Sequence, residues 1–384
     1  MLKKIRIGMV GGGDGAFIGE IHRIASRIDN RFELVAGALS SDSSRAIQSG
    51  ESLGISADRI YTCYERMART ENARTDGIDA VVIVTPNHLH FPVAKAFLQQ
   101  GIAVICDKPV TLDSVQALLL AKIIKQTGSF FCLTHNYTAY PMVRFARELV
   151  QEGKVGKIRL VQVEYVQDWL SDKQEEGGNK QAQWRTDPTK SGAGGSVGDI
   201  GSHAFNLAEF ISKLQVSEVC ADIDAFVEDR KLDDNAHVLL RFKQGAKGIL
   251  WCSQVAPGND NQLKIRIFGD RGGLEWAQEN PNELWYSPLG EPTQKLTRAG
   301  HGVSEIANRI SRTPAGHPEG YLEGFANLYR DIADALVLHQ QGKMLPPELQ
   351  LIPGIDEGIA AMNFIEAVVS SSQSNSQWVS LNEQ

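Results

Sequence analysis

Over the first 135 residues, short apolar runs alternate with longer amphipathic stretches. "KIRIGMV" (4–10), "FELVAGAL" (32–39), "DAVVIVTPN" (79–87), "IAVICDKP" (102–109) and "SFFCLTH" (129–135) read as strands. "GEIHRIASRI" (19–28), "HFPVAKAFLQQG" (90–101) and "DSVQALLLAKIIKQTG" (113–128) carry helical spacing between them. Apolar strands that alternate with helices predict parallel βαβ units covered on both faces. Right-handed crossovers then give a doubly wound sheet.

The pattern changes near residue 140. A helix over "PMVRFARELVQEG" (141–153) leads into "KIRLVQVEYV" (157–166). Then come "SEVCADIDAF", "NAHVLLRF", "AKGILWCSQV", "LKIRIFGD" and "GGLEWAQ", between residues 217 and 278. Most alternate apolar and polar positions, which predicts a large, mainly antiparallel sheet with one face on a core. Two late helical stretches, 319–342 and 356–372, are expected to cover that sheet or return to the first domain. The fold class expected is therefore α/β: a parallel doubly wound domain over 1–138 and an α+β domain with an open antiparallel sheet over 139–384. The polar segment 171–183, "SDKQEEGGNKQAQ", reads as a loop.

Composition narrows the class. The 384 residues are 42% hydrophobic and 22% charged, an ordinary globular balance. A net charge of −7 argues against nucleic acid as a partner. The five cysteines are scattered, without metal or redox spacing, and read as reduced thiols of a cytoplasmic protein; no metal is expected. No signal peptide or membrane span is read from the sequence.

"IGMVGGGDGAFIGEIH" (7–22) holds six glycines directly after the first strand. Glycine weakens regular structure, so the cluster calls for a backbone reason. Between a strand and a helix, that reason is close approach of main-chain N–H groups to a dinucleotide pyrophosphate. In the fingerprint G-x-G-x-x-G/A, Gly11 and Gly13 supply the first pair. The last position is Ala16 on a strict reading, or Gly19 with a three-residue insertion. Ala16, Phe17 and Ile18 then stand at the helix N-terminus that faces the phosphates. Asp14 is expected to point to solvent. The acid that normally ends the second strand is missing; Leu39 and Ser40 stand there. Asp42 comes slightly later, and Arg45 could meet a 2′-phosphate. The cofactor expected is NAD or NADP, with Asp42 tipping the balance toward NAD.

Three further motifs end strands or open helices. "VTPNHLH" contributes Thr85, Asn87 and His90 at the cofactor edge. "CDKP" contributes Lys108, and "GGSVGDIGSHAFN" places Asp199 and His203 four apart, on one face if a helix starts there. Oxidising a secondary alcohol beside a nicotinamide needs a base for the hydroxyl proton. His203 titrates near neutrality, Asp199 could orient it, and Lys108 could hydrogen-bond the reacting oxygen. Tyr137, Gln167, Trp169, Trp184, Arg185 and His317 are candidate pocket residues, because aromatic faces stack on sugar rings while polar edges bond hydroxyls.

In these motifs the chain resembles the glucose–fructose oxidoreductase / inositol dehydrogenase / rhizopine catabolism family over nearly its whole length. The likeness rests on the glycine turn with "GEIH", "VTPNHLH", "DKP" for the family's E-K-P, "THNY", "EGKVGKI", "GGSVGDIGSHAFN" and "EAVVSSSQSNSQWVSL". It implies a Rossmann domain for 1–138 and a catalytic set of Lys108, Asp199 and His203. Asn206 departs from the aspartate usual three residues after that histidine. Within the family, "GGGDGAFIGEIHR", "AGALSSD" and "RTPAGHPEGYLEGFANLY" look most similar to the levoglucosan and glucoside 3-dehydrogenase branch. The substrate expected is a sugar, anhydrosugar or cyclitol. Two rival readings share the fold: an NAD-retaining glycosidase that works through transient oxidation, and a non-catalytic nucleotide-sensing regulator. Similar enzymes pair through the open sheet, so a homodimer or homotetramer is expected.

Overall fold

The computed structural model describes residues 4–381, which form two compact units. The first runs to Asn136 and takes up the chain again over Tyr321–Ile359. The second holds Tyr137–Gly320 and the chain from Ala360 onward.

The first unit is built on five parallel strands: β1 (Ile5–Gly11), β2 (Phe32–Ala38), β3 (Ala80–Val84), β4 (Ala103–Cys106) and β5 (Phe131–Leu133). Their order is β2-β1-β3-β4-β5. Every residue of β3 and β4 is buried, as continuous apolar runs predict for strands covered on both faces. Because β2 and β3 flank β1 on opposite sides, the winding reverses at β1/β3. Ligand crevices form beyond the carboxyl ends of the strands at such a switch point.

Helices Phe17–Ile28, His90–Leu98 and Ser114–Thr127 fall where the periodicity places them. Two more, Ser43–Ser52 and Tyr64–Ala73, occupy a stretch with no clear periodicity. Their sequences, "SSRAIQSGES" and "YERMARTENA", carry too few apolar residues to show a stripe.

The long helix Tyr321–Gln340 packs on the first helix of this unit. His22 Nδ1 lies 2.7 Å from Tyr329 Oη, and the Tyr329 ring meets Phe32 edge-on at 5.2 Å. Arg330 pairs with Asp29 at 3.1 Å and Arg31 with Asp334 at 2.8 Å. The division of the chain thus counts 321–359 with the N-terminal unit, where the periodicity alone suggested a continuous 139–384. An amphipathic helix announces that it has a buried face, not which core receives it.

The second unit is built on a nine-stranded sheet. Its strands are β6 (Ile158–Val166), β7 (Val216–Asp224), β8 (Asn235–Phe242), β9 (Lys247–Ser253), β10 (Gln262–Gly269), β11 (Gly272–Ala277), β12 (Glu283–Pro288), β13 (Gln294–Thr297) and β14 (Val379–Ser380). The order is β13-β12-β11-β10-β6-β9-β8-β7-β14, antiparallel except for β6 beside β9. Short β12, β13 and β14 are additions to the strands read from sequence.

The alternation on this sheet is real. Val161, Val163 and Tyr165 of β6 are buried, whereas Leu160 is 48% exposed. Leu160 pairs with Phe268, and Leu239 pairs with Ile249. All four remain exposed on the outer face, as does Trp285 of β12. The inner face meets helix Ser202–Ser212, whose Phe205 stacks on Phe364 with centroids 4.5 Å apart. Among the described residues, no helix is long and apolar enough to cross a membrane.

Candidate active site

In the first unit, parallel strands bring the glycine turn, Thr85 and Lys108 to one sheet edge, since each follows the carboxyl end of its strand. Gly11 and Gly12 hold φ of +80° and +71°, a region costly for any side chain. A Cβ on Gly12 would lie 2.8 Å from Val84 Cγ2, and one on Gly13 would lie 2.7 Å from the Leu39 carbonyl oxygen. A Cβ on Gly19 would come within 2.4 Å of the Gly12 Cα. The close-packing glycine of this turn is therefore Gly19, with the insertion, and not Ala16. Ala16 instead occupies the N-cap of helix 17–28, with extended backbone and no side-chain cap. The first N–H groups of that helix have no intrahelical partner by construction, which leaves them to an anion.

The turn itself is anchored. Gly13 N–H donates to Leu39 O at 3.2 Å, and the exposed Asp14 donates its N–H to Ser49 Oγ at 3.1 Å. Thr85 Oγ1 is buried beside the turn with no hydrogen-bond partner. A turn so tightly packed that it excludes any Cβ, an uncapped helix start and an orphaned hydroxyl fit a dinucleotide pyrophosphate. Phe17, 62% exposed, and Ile18 open the helix there.

Two residues expected to touch cofactor also brace the backbone around them. Asp42 caps helix 43–52: its Oδ1 accepts from Arg45 N–H at 2.8 Å and from Ser44 Oγ at 2.6 Å. These bonds, the Ser44 hydroxyl first, hold its carboxyl below the usual range. Ser40 Oγ in turn accepts from Asp42 N–H at 3.1 Å. His90 is a strut. Its Nδ1 lies 2.6 Å from the Pro109 carbonyl oxygen, its Nε2 lies 2.9 Å from that of Thr85, and burial lowers its pKa. It ties the loop after β3 to the loop after β4. Asn87 is buried in the short turn between Pro86 and His90.

Lys108 follows β4 and precedes Pro109 through a cis peptide bond. Asp107, in the place of the family's glutamate, sets its backbone: Oδ1 accepts from Lys108 N–H and from Thr134 Oγ1, both at 2.9 Å. His135, at the end of β5, is pushed down to about 3 by burial, with the Lys108 charge adding to the effect. A neutral imidazole beside Lys108 is something that "THNY" alone did not announce.

In the second unit, Asp199 lies in a π-helical turn, Val197–Gly201, that runs into helix 202–212. Such turns recur at functional sites. Asp233 pins its entry, accepting from Gly195 N–H and Ser196 Oγ, both at 2.6 Å, and from Val197 N–H at 2.8 Å. Asp199 Oδ2 accepts from Gln254 Nε2 at 2.9 Å and from Arg185 Nε at 3.2 Å. Arg185 also lies over the Trp184 ring, 4.2 Å from its centroid, and donates to Gln181 Oε1 at 2.6 Å. Trp184, Arg185 and Asp199 are thus one cluster, in which Gln181 and Gln254 were missed.

His203 is 8% exposed and packs edge-to-face on Tyr137, with centroids 4.9 Å apart; Tyr165 stands at 6.1 Å. Tyr137 Oη meets Tyr165 Oη at 2.6 Å, and Tyr165 Oη donates to Asn261 Oδ1 at 2.8 Å. Gln167 Nε2 donates to the same oxygen at 2.6 Å, and Trp169 Nε1 donates to Gln167 Oε1 at 3.0 Å. Three expected pocket residues, Tyr137, Gln167 and Trp169, are joined through two that were not foreseen. Tyr165 lies on the strand read over 157–166, and Asn261 just before β10. His317 differs: it is exposed, on a loop whose carbonyls are gathered by Arg298. Among the described residues, no group of three or more His, Cys, Asp or Glu could hold a metal ion.

Comparison with known proteins adds the lineage. Residues 5–135 match the model of an oxidoreductase family with an NAD-binding Rossmann fold, and residues 143–275 match that of the GFO/IDH/MocA C-terminal domain. An oxidoreductase of solved structure from Sinorhizobium meliloti is 51% identical, with 98% of this chain and 99% of that one covered and a TM-score of 0.90. An inositol dehydrogenase homologue from Azotobacter vinelandii, solved with NAD+, is 34% identical over 99% of this chain and 98% of its own, with a TM-score of 0.94. Its structure with NADH and myo-inositol superposes with a TM-score of 0.92, at 32% identity over 99% and 98% of the two chains. Levoglucosan dehydrogenase from Pseudarthrobacter phenanthrenivorans is 26% identical over 307 residues, 74% of this chain and 76% of that protein.

Proposed function

The chain belongs to the GFO/IDH/MocA family of NAD(P)-dependent oxidoreductases, and on that premise we propose that it oxidises a secondary ring hydroxyl of a cyclitol, sugar or anhydrosugar. The observation that carries the reading is the wall of the second unit. His203 packs on Tyr137 next to an Asp199 carboxylate already held by Arg185 and Gln254. Aromatic faces and ordered polar edges together suit a polyol ring. Cyclitols stand first in the class, because the homologue solved with NADH and myo-inositol matches along nearly the whole chain.

When bound, the nicotinamide supplies a hydride acceptor. Gly11, Gly12, Gly13 and the N–H groups at Phe17 and Ile18 would hold the pyrophosphate. In the first unit Lys108 would hydrogen-bond a substrate oxygen; in the second His203 would take a hydroxyl proton and Asp199 would offset the positive charge that develops. NAD against NADP rests on the tip of β2. Asp42 caps its helix through Oδ1 and stays exposed, so Asp42, Ser40 and Arg45 share the discrimination, with NAD slightly favoured.

A panel of inositols, sugars and anhydrosugars with NAD and with NADP, followed at the reduced-nicotinamide absorbance, tests the proposal. Growth of absorbance with at least one polyol supports it. Retained cofactor and glycoside cleavage without net NADH would mark a glycosidase that works by transient oxidation. Nucleotide binding with no turnover of any polyol would mark a sensor.

The outer face of the sheet is the proposed pairing surface for a dimer or a tetramer of dimers. Leu160, Leu239, Ile249 and Phe268 form an exposed apolar stripe there, which a second copy would cover. Light scattering of Ile249→Lys beside the parent protein tests this, and a parent that is monomeric at micromolar concentration would refute it.

A further inference from the structure

Two donors meet on Asp199 Oδ2, and they are supported very differently. Arg185 Nε donates at 3.2 Å and Gln254 Nε2 at 2.9 Å. An ionised carboxylate only accepts, so the Gln254 atom facing it is the amide nitrogen. Arg185 ends a six-residue helix, Lys180–Arg185, and its remaining hydrogen bonds go to Gln181 of that same helix. Its side chain is 21% exposed.

Gln254 directly follows β9 and is buried. Its N–H donates to the Asp234 carbonyl oxygen at 2.8 Å, and its own carbonyl accepts from Leu170 N–H at 3.0 Å. Asp234 is fixed in turn. Its carboxylate accepts from Phe226 N–H at 2.9 Å, Val227 N–H at 3.0 Å and Arg230 Nη1 at 3.1 Å. The residue before it, Asp233, pins the π-helical turn that carries Asp199. Both ends of the Gln254–Asp199 bond are therefore tied to two consecutive residues at the entry to β8. Asp233, the turn, Asp199, Gln254 and Asp234 close a ring of short contacts.

We propose that Gln254 is a positioning residue for the oxidation: from the end of β9 it holds the Asp199 carboxylate in one place. The role rests on the polyol-dehydrogenase reading, in which Asp199 offsets the charge that develops on His203 one helical turn later. A charge already in place costs no reorganisation when the proton moves. Arg185 supplies a second donor, but only Gln254 shares a frame with the turn it steadies.

A double-mutant cycle tests this. With the polyol that the protein turns over best, Gln254→Met should lower kcat by about tenfold or more, because a side chain of similar volume no longer donates. The NAD Kd from calorimetry should stay within about twofold, since Gln254 acts through Asp199 and not on the cofactor. In an Asp199→Ala background the same substitution should change kcat by less than about twofold, there being no carboxylate left to hold. Equal falls in both backgrounds would make Gln254 merely structural, and an unchanged kcat in the parent background would give it no part; either overturns the proposal. Gln254→Ala, which equally cannot donate, takes the place of the methionine variant if that one does not fold. Thermal melts of the ligand-free proteins form a second cycle, independent of substrate. The Tm losses of Gln254→Met and Asp199→Ala should not add in the double variant, and additive losses would overturn the contact. If the melts show coupling but no polyol is turned over, the dehydrogenase reading fails and the hold on Asp199 stands.

Discussion

On the function proposed above, the two units of this enzyme prepare for a dinucleotide and a polyol in different ways. The first works with backbone: glycines at positive φ, carbonyls at strand ends, and an uncapped helix start. Its side chains mostly brace that backbone, as Asp42, His90 and Asp107 do. The second works with side chains. Asp199 and His203 share one segment, but Arg185, Gln254 and the tyrosines that contact them come from others, and each contact is between side chains. A phosphate ester looks alike in every dinucleotide, so a generic backbone cradle is enough. A polyol differs from its epimers only in where hydroxyls point, and that takes individually oriented groups.

The largest effect expected falls in the side-chain unit. His203→Ala should lower turnover by roughly 10²–10⁴-fold, the span of a positioned acid–base group, with cofactor affinity nearly unchanged. Lys108→Met belongs with it, since that residue is the one side chain of the first unit given a chemical role. Near-parental turnover of either variant in steady-state kinetics would break the assignment.

Next comes a prediction on the bracing of the first unit. Burial pushes His22 from 6.5 down to about 4. Above pH 6.5 the ring is neutral in both folded and unfolded states, so the full stability is present. As pH falls toward 4, only the unfolded chain gains the proton, and stability drops by roughly 3 kcal/mol before levelling off. His135 acts with the same sign, down to about 3. Denaturant melts of the parent and of His22→Gln between pH 7 and 4 check this. A variant as steep as the parent would contradict it.

The cradle is probed by Gly13→Val. Its backbone is not at positive φ, so the fold survives better than with Gly11 or Gly12 replaced, yet its Cβ meets the Leu39 carbonyl oxygen. Cofactor Kd should rise by about tenfold or more, while the Asp199 cluster keeps its arrangement. Unchanged titration calorimetry would remove the backbone reading. The smallest effect belongs to Asp42→Ala: a modest loss of helix-cap stability and a small shift of the NAD to NADP ratio toward NADP. Denaturant melts and cofactor titrations that both match the parent would contradict it.

Much of this was legible in one dimension. Periodicities of two and of 3.6 residues depend on local geometry, so both sheets, their different burial and the main helices follow from the order of residues. The nucleotide turn is legible for the same reason: a backbone conformation that only glycine adopts leaves glycine in the sequence. Lys108, Asp199 and His203 stand out because strand ends and helix starts are local events. What depends on distant segments meeting was settled only in three dimensions. Gly19 rather than Ala16 closes the turn because of where helix 17–28 lies against Gly12. Asp42 and His90 read as ligand residues from sequence, and only the structure shows that they also hold backbone, Asp42 the Arg45 N–H and His90 the Thr85 carbonyl. Helix 321–340 carries an apolar face that either core could bury, and packing on helix 17–28 decides it. Asn261 has no local signal at all, because a loop asparagine gains its role only when Tyr165 and Gln167 point their hydrogens at it.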